Sequence, residues 1–416
     1  MDQPSSPRKL LSFEFLALCL VIVSAFCNVS VFYSFYHYLG TIDIPLPWRG
    51  FLVGLEPMSA FILRLVVLPW LHMRNALAVT MASLVLLIAV SCSYLWVTSV
   101  PAMIVLRMLH GTVFVLLTSA VIALVVNFIP GERSGQGFST LSIATMIPFA
   151  VIPPLAEAIF PHVRSEADVY AAVSVFSVAA ILILLAVWRR IGQALLGLDG
   201  ALLRRPAFSE IRENFRLRSV VFLLSTIFLV YLAHATVFYF MKDLSLVTGA
   251  GAVGLFFSLS MMAMIAVRAL GAVLFDRMDK RSTVWKMFAL LAPCLFLLPL
   301  TSSPVTYYLL AVLYGFSMGV ALPLLNALLF SASTPALRGL NTNMTLFTMD
   351  AAYFLMPYAG GTLIALGSGF DILFYLAAGH IGLASILMKA LGRRGTKEPS
   401  GFCDPVSLHC GEKEGE

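Results

Sequence analysis

Twelve apolar stretches, each about long enough to cross a bilayer as a helix, occupy nearly the whole chain. They begin near Leu11, Trp48, Ala76, Pro101, Phe138, Asp168, Val220, Gly249, Val284, Val305, Leu340 and Asp371. Spanning the hydrocarbon takes roughly 20 apolar residues as a helix. Only helices or closed barrels satisfy their backbone polar groups there. The fold class follows as an all-α integral membrane protein with twelve transmembrane helices. Composition agrees, at 60% hydrophobic and 12% charged, about half the charge of an ordinary soluble domain.

Charge placement gives the orientation. Of the 27 Lys and Arg residues, Arg49, Arg164 and Lys242 fall on the side opposite the termini, and Arg64, Arg107 and Arg268 lie inside spans. All the others fall on the side of the N-terminus. Cytoplasmic loops collect Lys and Arg, so both termini and the central loop are expected in the cytoplasm. The net charge of +6 is then a topology signal and a contact with lipid headgroups, and no nucleic-acid partner is expected. Arg8 and Lys9 precede an apolar run reaching Tyr38, too long for a cleavable signal. The run from Phe32 to Tyr38 reads as an aromatic belt at headgroup level. Cys19, Cys27, Cys92 and Cys294 lie within spans. Cys403, His409 and Cys410 in the tail match no zinc spacing, so no metal and no cofactor are expected.

One long polar segment, from Arg189 to Arg218, divides the spans six and six. Its Ile191, Leu195, Leu196 and Leu198 predict a short amphipathic helix on the membrane surface. Repeats link the halves. Pro130 and Arg133 recur as Pro335 and Arg338, and Thr140-Leu141 as Thr345-Leu346, at an offset of 205. Arg64 and Gly111 recur as Arg268 and Gly315 at 204. Two homologous six-helix bundles are expected at residues 11–188 and 219–392. Around them lie an N-terminal segment of residues 1–10, a central loop of 189–218 and a tail of 393–416.

Three local motifs resemble the major facilitator superfamily. Its loop after the second and eighth helices carries a Gly-x-x-x-Asp-Arg-x-Gly-Arg-Lys-like pattern. Ala272-Val273-Leu274-Phe275-Asp276-Arg277-Met278-Asp279-Lys280-Arg281 follows it, with Ala272 and Asp279 in the glycine places. Leu68-Pro69-Trp70-Leu71-His72-Met73-Arg74-Asn75 is a degraded first copy, with His72 where the Asp belongs. Arg107-Met108-Leu109-His110-Gly111 resembles the fourth-helix Arg-x-x-Gln-Gly pattern, with His for Gln. Ile152-Pro153-Pro154-Leu155-Ala156 keeps a proline of the antiporter signature without its glycines. The resemblance covers about residues 11–392. It implies two bundles related by pseudo-symmetry and rocking about a site near the bilayer midplane. It also implies a gating role for Arg268, Asp276, Arg277, Lys280 and Arg281, and proton coupling at Arg107.

Charges at mid-membrane depth cost several kcal/mol and need a partner or a task. Glu56 lies ~12 Å and Arg107 ~9 Å from the outer ends of their spans at 1.5 Å per residue. With His110 one turn below Arg107 and Glu157 on the fifth span, they form one candidate proton-coupling group. The alternative reading of the Glu56–Arg107 pair is a structural tie between spans two and four, and the cost of such a pair relative to apolar packing favours the functional one. Asp350 is the deep acid of the second half, with His380 nearest by count. With Asn343 and Tyr353 it is a candidate for substrate contact or protonation, and Tyr231, His234 and Phe238 add a stripe on span seven. Arg64 and Arg268, near the ends of their spans, are expected to snorkel or to meet the loop motif.

No nucleotide loop, catalytic triad or metal cluster occurs, so no enzyme activity is expected and a gradient must supply the energy. The leading expectation is proton-coupled efflux of a small amphipathic compound. Uptake of a small nutrient and a non-transporting receptor or scaffold are the alternatives. A bacterial inner membrane is the expected location. Nothing fixes an oligomeric state, and a monomer is compatible with the pattern.

Overall fold

A computed structural model describes residues 12–67, 73–129, 133–195, 208–333 and 338–394. Those residues are helical almost throughout. His72 of the first loop motif, and Cys403, His409 and Cys410 of the tail, lie outside them. Two helices, α1 (Phe13–Ser30) and α2 (Phe35–Thr41), run together through a 3-10 turn at Val31–Ser34. They are followed by α3 (Leu46–Val67), α4 (Met73–Ser93), α5 (Val100–Asn127) and α6 (Ser134–Ile159). The first half closes with α7 (Glu166–Ala172) and α8 (Ser174–Ala194), continuous but for Val173. A short α9 (Phe208–Arg216) leads to α10 (Arg218–Thr248), α11 (Val253–Arg277) and α12 (Lys280–Leu297). The chain then forms α13 (Pro304–Ala332), α14 (Arg338–Ala365) and α15 (Phe370–Arg394). Among the described residues ten helices are long and apolar enough to cross a membrane. With α3 and α14, the long rods among those residues number twelve.

Local chemistry sets the helix ends. Ser12 caps α1 by accepting from Phe15 N–H at 3.2 Å, and Ser165 with Asp168 forms a capping box on α7. Asp279, standing where the loop motif has a glycine, caps α12 by accepting from Arg281 N–H at 3.2 Å. Pro101 and Pro304 sit in first turns, where no donor is lost. Gly249 ends α10 in the left-handed region at φ 64°.

The amphipathic surface helix predicted at Ile191–Leu198 is not found at its start. Ile191 is buried in the last turns of α8, which runs on past the expected membrane edge. Leu196 and Leu198 lie outside the described residues. A short helix of the central loop does occur farther along, as α9, and its buried Asn214 donates to Asn341 at 2.5 Å.

Each half packs internally. In the first, α1 lies on α5, α6 and α8, and α5 lies on α3 and α4; in the second, α10 lies on α14 and α15, and α13 on α11 and α12. The halves meet where α3 packs along α14, α6 along α11, and the α1–α2 turn against α10. Close backbone approach makes these seams possible. A Cβ on Gly361 would lie 2.6 Å from Gly50 Cα, and one on Gly254 would strike the backbone of Pro153 and Pro154. Residues such as Leu182, Leu270, Val305 and Leu366 stay exposed on the outside, where lipid replaces water as their solvent.

The repeat is visible in atoms as well as letters. Gly111 packs on the Glu56 carbonyl and Gly315 on the Ser260 carbonyl, and a side chain at either would collide with it. Both contacts obey the offset of 204 found in the sequence.

Candidate functional site

Arg107 is the centre of the first cluster, and a proline explains how it is held. Pro57 lies within α3 and has no N–H, so the Val53 carbonyl one turn earlier loses its helix donor. Arg107 Nη2 supplies that donor at 2.9 Å, and Nε donates to Leu52 O at 3.1 Å. The same guanidinium reaches Tyr94 Oη at 3.3 Å and Glu56 Oε2 at 3.4 Å. Rings of Phe35 and Phe32 face it at 4.4 and 5.4 Å, adding cation–π attraction. Only 1% exposed, Arg107 is a buried cation with its donors placed, which the interior demands.

His110 joins this cluster indirectly. Tyr94 accepts from Arg107, so its own hydrogen is free for His110 Nδ1 at 3.0 Å. His110 Nε2 is buried without a partner among the described residues. The aromatic belt expected at Phe32–Tyr38 is a correction. Phe32, Tyr33, Phe35, Tyr36 and Tyr38 are each 4% exposed or less. They wall the Arg107 cluster and the seam between the halves instead of facing headgroups.

Glu157 does not join Glu56 and Arg107 as depth counting implied. It faces the other half, where Lys242 Nζ donates to Oε1 at 2.9 Å and Gly254 N–H to Oε2 at 2.8 Å. His37 and Asp243 meet nearby at 3.2 Å. With Tyr36 against Phe240 and Phe370, these contacts join the halves at the end away from the chain termini. A neighbouring tie repeats the proline logic. Pro154 leaves the Ala150 carbonyl without a helix donor, and Ser258 Oγ of α11 donates to it at 2.6 Å.

Asp350 is the larger correction. It is not a lone carboxylate near His380. Arg64 Nε of α3 donates to Asp350 Oδ2 at 2.7 Å, with the two side chains 12% and 7% exposed. Arg64 therefore crosses between halves instead of snorkelling to the surface. Sequence counting missed the pair because it compared depths within one bundle only. Arg268, expected at the gating loop, also crosses. Its Nη1 bonds Ser142 of α6. Lys280 and Arg281 open α12, partly exposed, while the side chains of Asp276, Arg277 and Asn343 lie outside the described residues.

Between these charges runs an aromatic lining. His234 Nδ1 shares a hydrogen bond with the Tyr314 hydroxyl, and their rings stack. Tyr353 lies edge-on to His234 at 6.0 Å and to Tyr239 at 5.7 Å, and tilted against Phe238 at 6.1 Å. Tyr231 and His234 lie within electrostatic reach of Arg268, and Tyr239 within that of Glu56, Arg107 and Asp350. The sequence-derived candidates thus fall into three places. Glu56, Arg107 and His110 gather in the first half. Asp350, Tyr231, His234, Phe238, Tyr353 and Arg268 gather in the middle. Glu157 stands at the far end. Among the described residues no three His, Cys, Asp or Glu side chains are grouped to hold a metal.

The sequence model of the family described as Major Facilitator Superfamily matches residues 15–357. No curated protein matches the chain. Among solved structures, a mutant of the nucleoside transporter NupG superposes with a TM-score of 0.70 at 13% identity, covering 91% of this chain and 99% of that one. At that identity the likeness is one of fold.

Proposed function

We propose, from the premise that the chain belongs to the major facilitator superfamily, that it exports a small amphipathic organic compound by proton-coupled alternating access. The tie between Arg64 and Asp350 carries this reading. It joins the two halves at 2.7 Å, largely out of water. A proton on Asp350 would cancel the charge that Arg64 holds and loosen the seam between α3 and α14. Breaking one partner of a buried pair costs about 3–5 kcal/mol. A pH gradient or membrane potential supplies energy of that order, with ~2.3 kcal/mol per charge per 100 mV. Glu56, held by Arg107, is the second carboxylate in the coupling path.

The direction is supported by the arrangement of the seams. His37–Asp243 and Lys242–Glu157 tie the halves at the end away from the termini. With both termini cytoplasmic, as the basic flanks imply, release of the Arg64–Asp350 and Arg268–Ser142 ties while these outer ties hold would open the middle to the cytoplasm. An exporter in a bacterial inner membrane loads from that side. Uptake is the second reading, favoured by the ring-lined middle at His234, Tyr314 and Tyr353, which equally suits a flat nutrient. The solved nucleoside transporter of like fold fits that alternative.

Proteoliposomes with a trapped pH dye decide the matter. A panel of amphipathic amines, acids and nucleosides is added across an imposed proton gradient. Compound-dependent proton flux supports coupled transport, and its sign separates export from uptake. Compounds that bind without any flux would leave the chain a receptor or scaffold.

A further inference from the structure

We infer that the transported compound carries a single anionic group, and that Arg268 is its counter-charge. The inference deepens the transport reading and rests on it.

The observation is an imbalance between two copies of one device. Arg64 and Arg268 occupy the same place in the two halves, at the repeat offset of 204. Each leaves its own half and reaches the other across a seam. Arg64 finds a carboxylate, Asp350. Arg268 finds only a hydroxyl, that of Ser142, and its Nε is buried with no partner among the described residues. The residue matching Asp350 at the offset of 205 is Thr145, which is neutral.

Charge counting at the middle level points the same way. Three arginines, Arg64, Arg107 and Arg268, lie within the spans, and Asp350 and Glu56 partner the first two. Among the described residues Arg268 has no carboxylate partner. An arginine inside a membrane protein is retained against a considerable desolvation cost, and marks a pathway or a ligand. The guanidinium fork matches a carboxylate or a comparable oxyanion. Tyr231 and His234 lie within electrostatic reach of it, and the rings of Tyr314 and Tyr353 continue the wall from His234. The chemistry that fits is one anionic head on a ring-bearing or apolar body, an amphipathic organic monoacid.

The full chain in lipid nanodiscs tests this with indole-3-acetate and 2-naphthoate, each against its own primary amide. The acids should bind about tenfold tighter or better than the amides, as a charged hydrogen-bonding partner implies. Arg268→Gln should collapse the ratio toward one, and Arg268→Lys should keep part of it. Ser142→Asp supplies an internal counter-ion, so it should also abolish the preference while raising the melting temperature of the empty protein. Acids that bind no better than amides, or not at all, overturn the inference. So does a Ser142→Asp protein that melts lower or still prefers the acids. Acid-selective binding without proton flux in vesicles would remove the transport reading and leave the anion site standing. Flux of the amides alone would do the reverse.

Discussion

Asp350→Asn removes one charge from the tie between the halves and changes almost nothing in shape. What it leaves behind sets the magnitude. Arg64 is 12% exposed and bonded to Asp350 Oδ2 at 2.7 Å, so the substitution strands a cation with little water to hydrate it. Loss of one partner from a buried pair costs about 3–5 kcal/mol, most of it the unpaired charge left behind. The lower figure is expected here, because the new side-chain amide would keep a carbonyl within reach of the guanidinium. Removing both charges, in Arg64→Gln with Asp350→Asn, should return the protein to within about 1 kcal/mol of the original, since no stranded charge remains. Reversible unfolding in mixed micelles, run on the two single variants and the double, measures the coupling. With about 3 kcal/mol lost in each single variant and at most about 1 in the double, a coupling of about 5 kcal/mol is expected. Spin labels at Gln136 on α6 and Ser331 on α13, both exposed, report in parallel whether the single variants broaden the distance between the halves. If Asp350→Asn unfolds like the parent, the pair is too hydrated to act as a charge-sensitive tie, and the coupling argument fails with it.

Three further outcomes are expected. Arg107→Lys should destabilise the first half by about 2–3 kcal/mol, because an ammonium cannot serve Leu52, Val53, Tyr94 and Glu56 together. Adding Pro57→Ala to that variant should recover part of the loss, since residue 57 then donates to the Val53 carbonyl; unfolding curves of both check this. Gly111→Val and Gly315→Val should each cost at least about 2 kcal/mol by driving a side chain into a facing carbonyl, whereas Gly379→Ala, which meets open space, should unfold close to the parent. His37→Ala should cost about 1–3 kcal/mol, because it leaves the buried Asp243 carboxylate without its partner, and should increase labelling of a cysteine placed at Tyr36, because it unties one of the far-end ion pairs.

Hydropathy made most of the fold legible. Expected span starts at Pro101, Val305 and Asp371 fall within a residue of the starts of α5, α13 and α15. Helix length in a bilayer is set by thickness, and apolar runs report it directly. The Glu56–Arg107 contact was also readable, since both lie in one half and depth is countable from the nearest end. Contacts between halves were not readable. Arg64 meets Asp350 and Glu157 meets Lys242 only because of how two bundles dock, and neither depth nor period encodes that. The aromatic run at Phe32–Tyr38 shows the same limit. Its composition fits a headgroup belt or a buried wall, and only the cation at Arg107 and the packing of α10 decide between them.

Under the proposed function, the departures from the repeat are what distinguish the site. Duplicated features, such as the glycines on Glu56 and Ser260, solve a problem that both halves share, the close approach of helices. Glu56 itself is matched by Ser260, Arg107 by Ala311, and Asp350 by Thr145, so each carboxylate belongs to one half alone. A site built this way is polar on unequal sides, and a solute lying across it meets a paired charge on one wall and an open one on the other. If Arg268, which has no carboxylate partner among the described residues, is the counter-charge of the solute, the middle without solute carries one excess positive charge. An inside-negative potential then favours the state in which that charge faces the cytoplasm, by up to ~2.3 kcal/mol per 100 mV for a full crossing. Binding an anion cancels the charge and with it the bias. The same asymmetry that admits the solute would therefore set where the empty protein waits, tied shut by His37–Asp243 and Lys242–Glu157 at the opposite end.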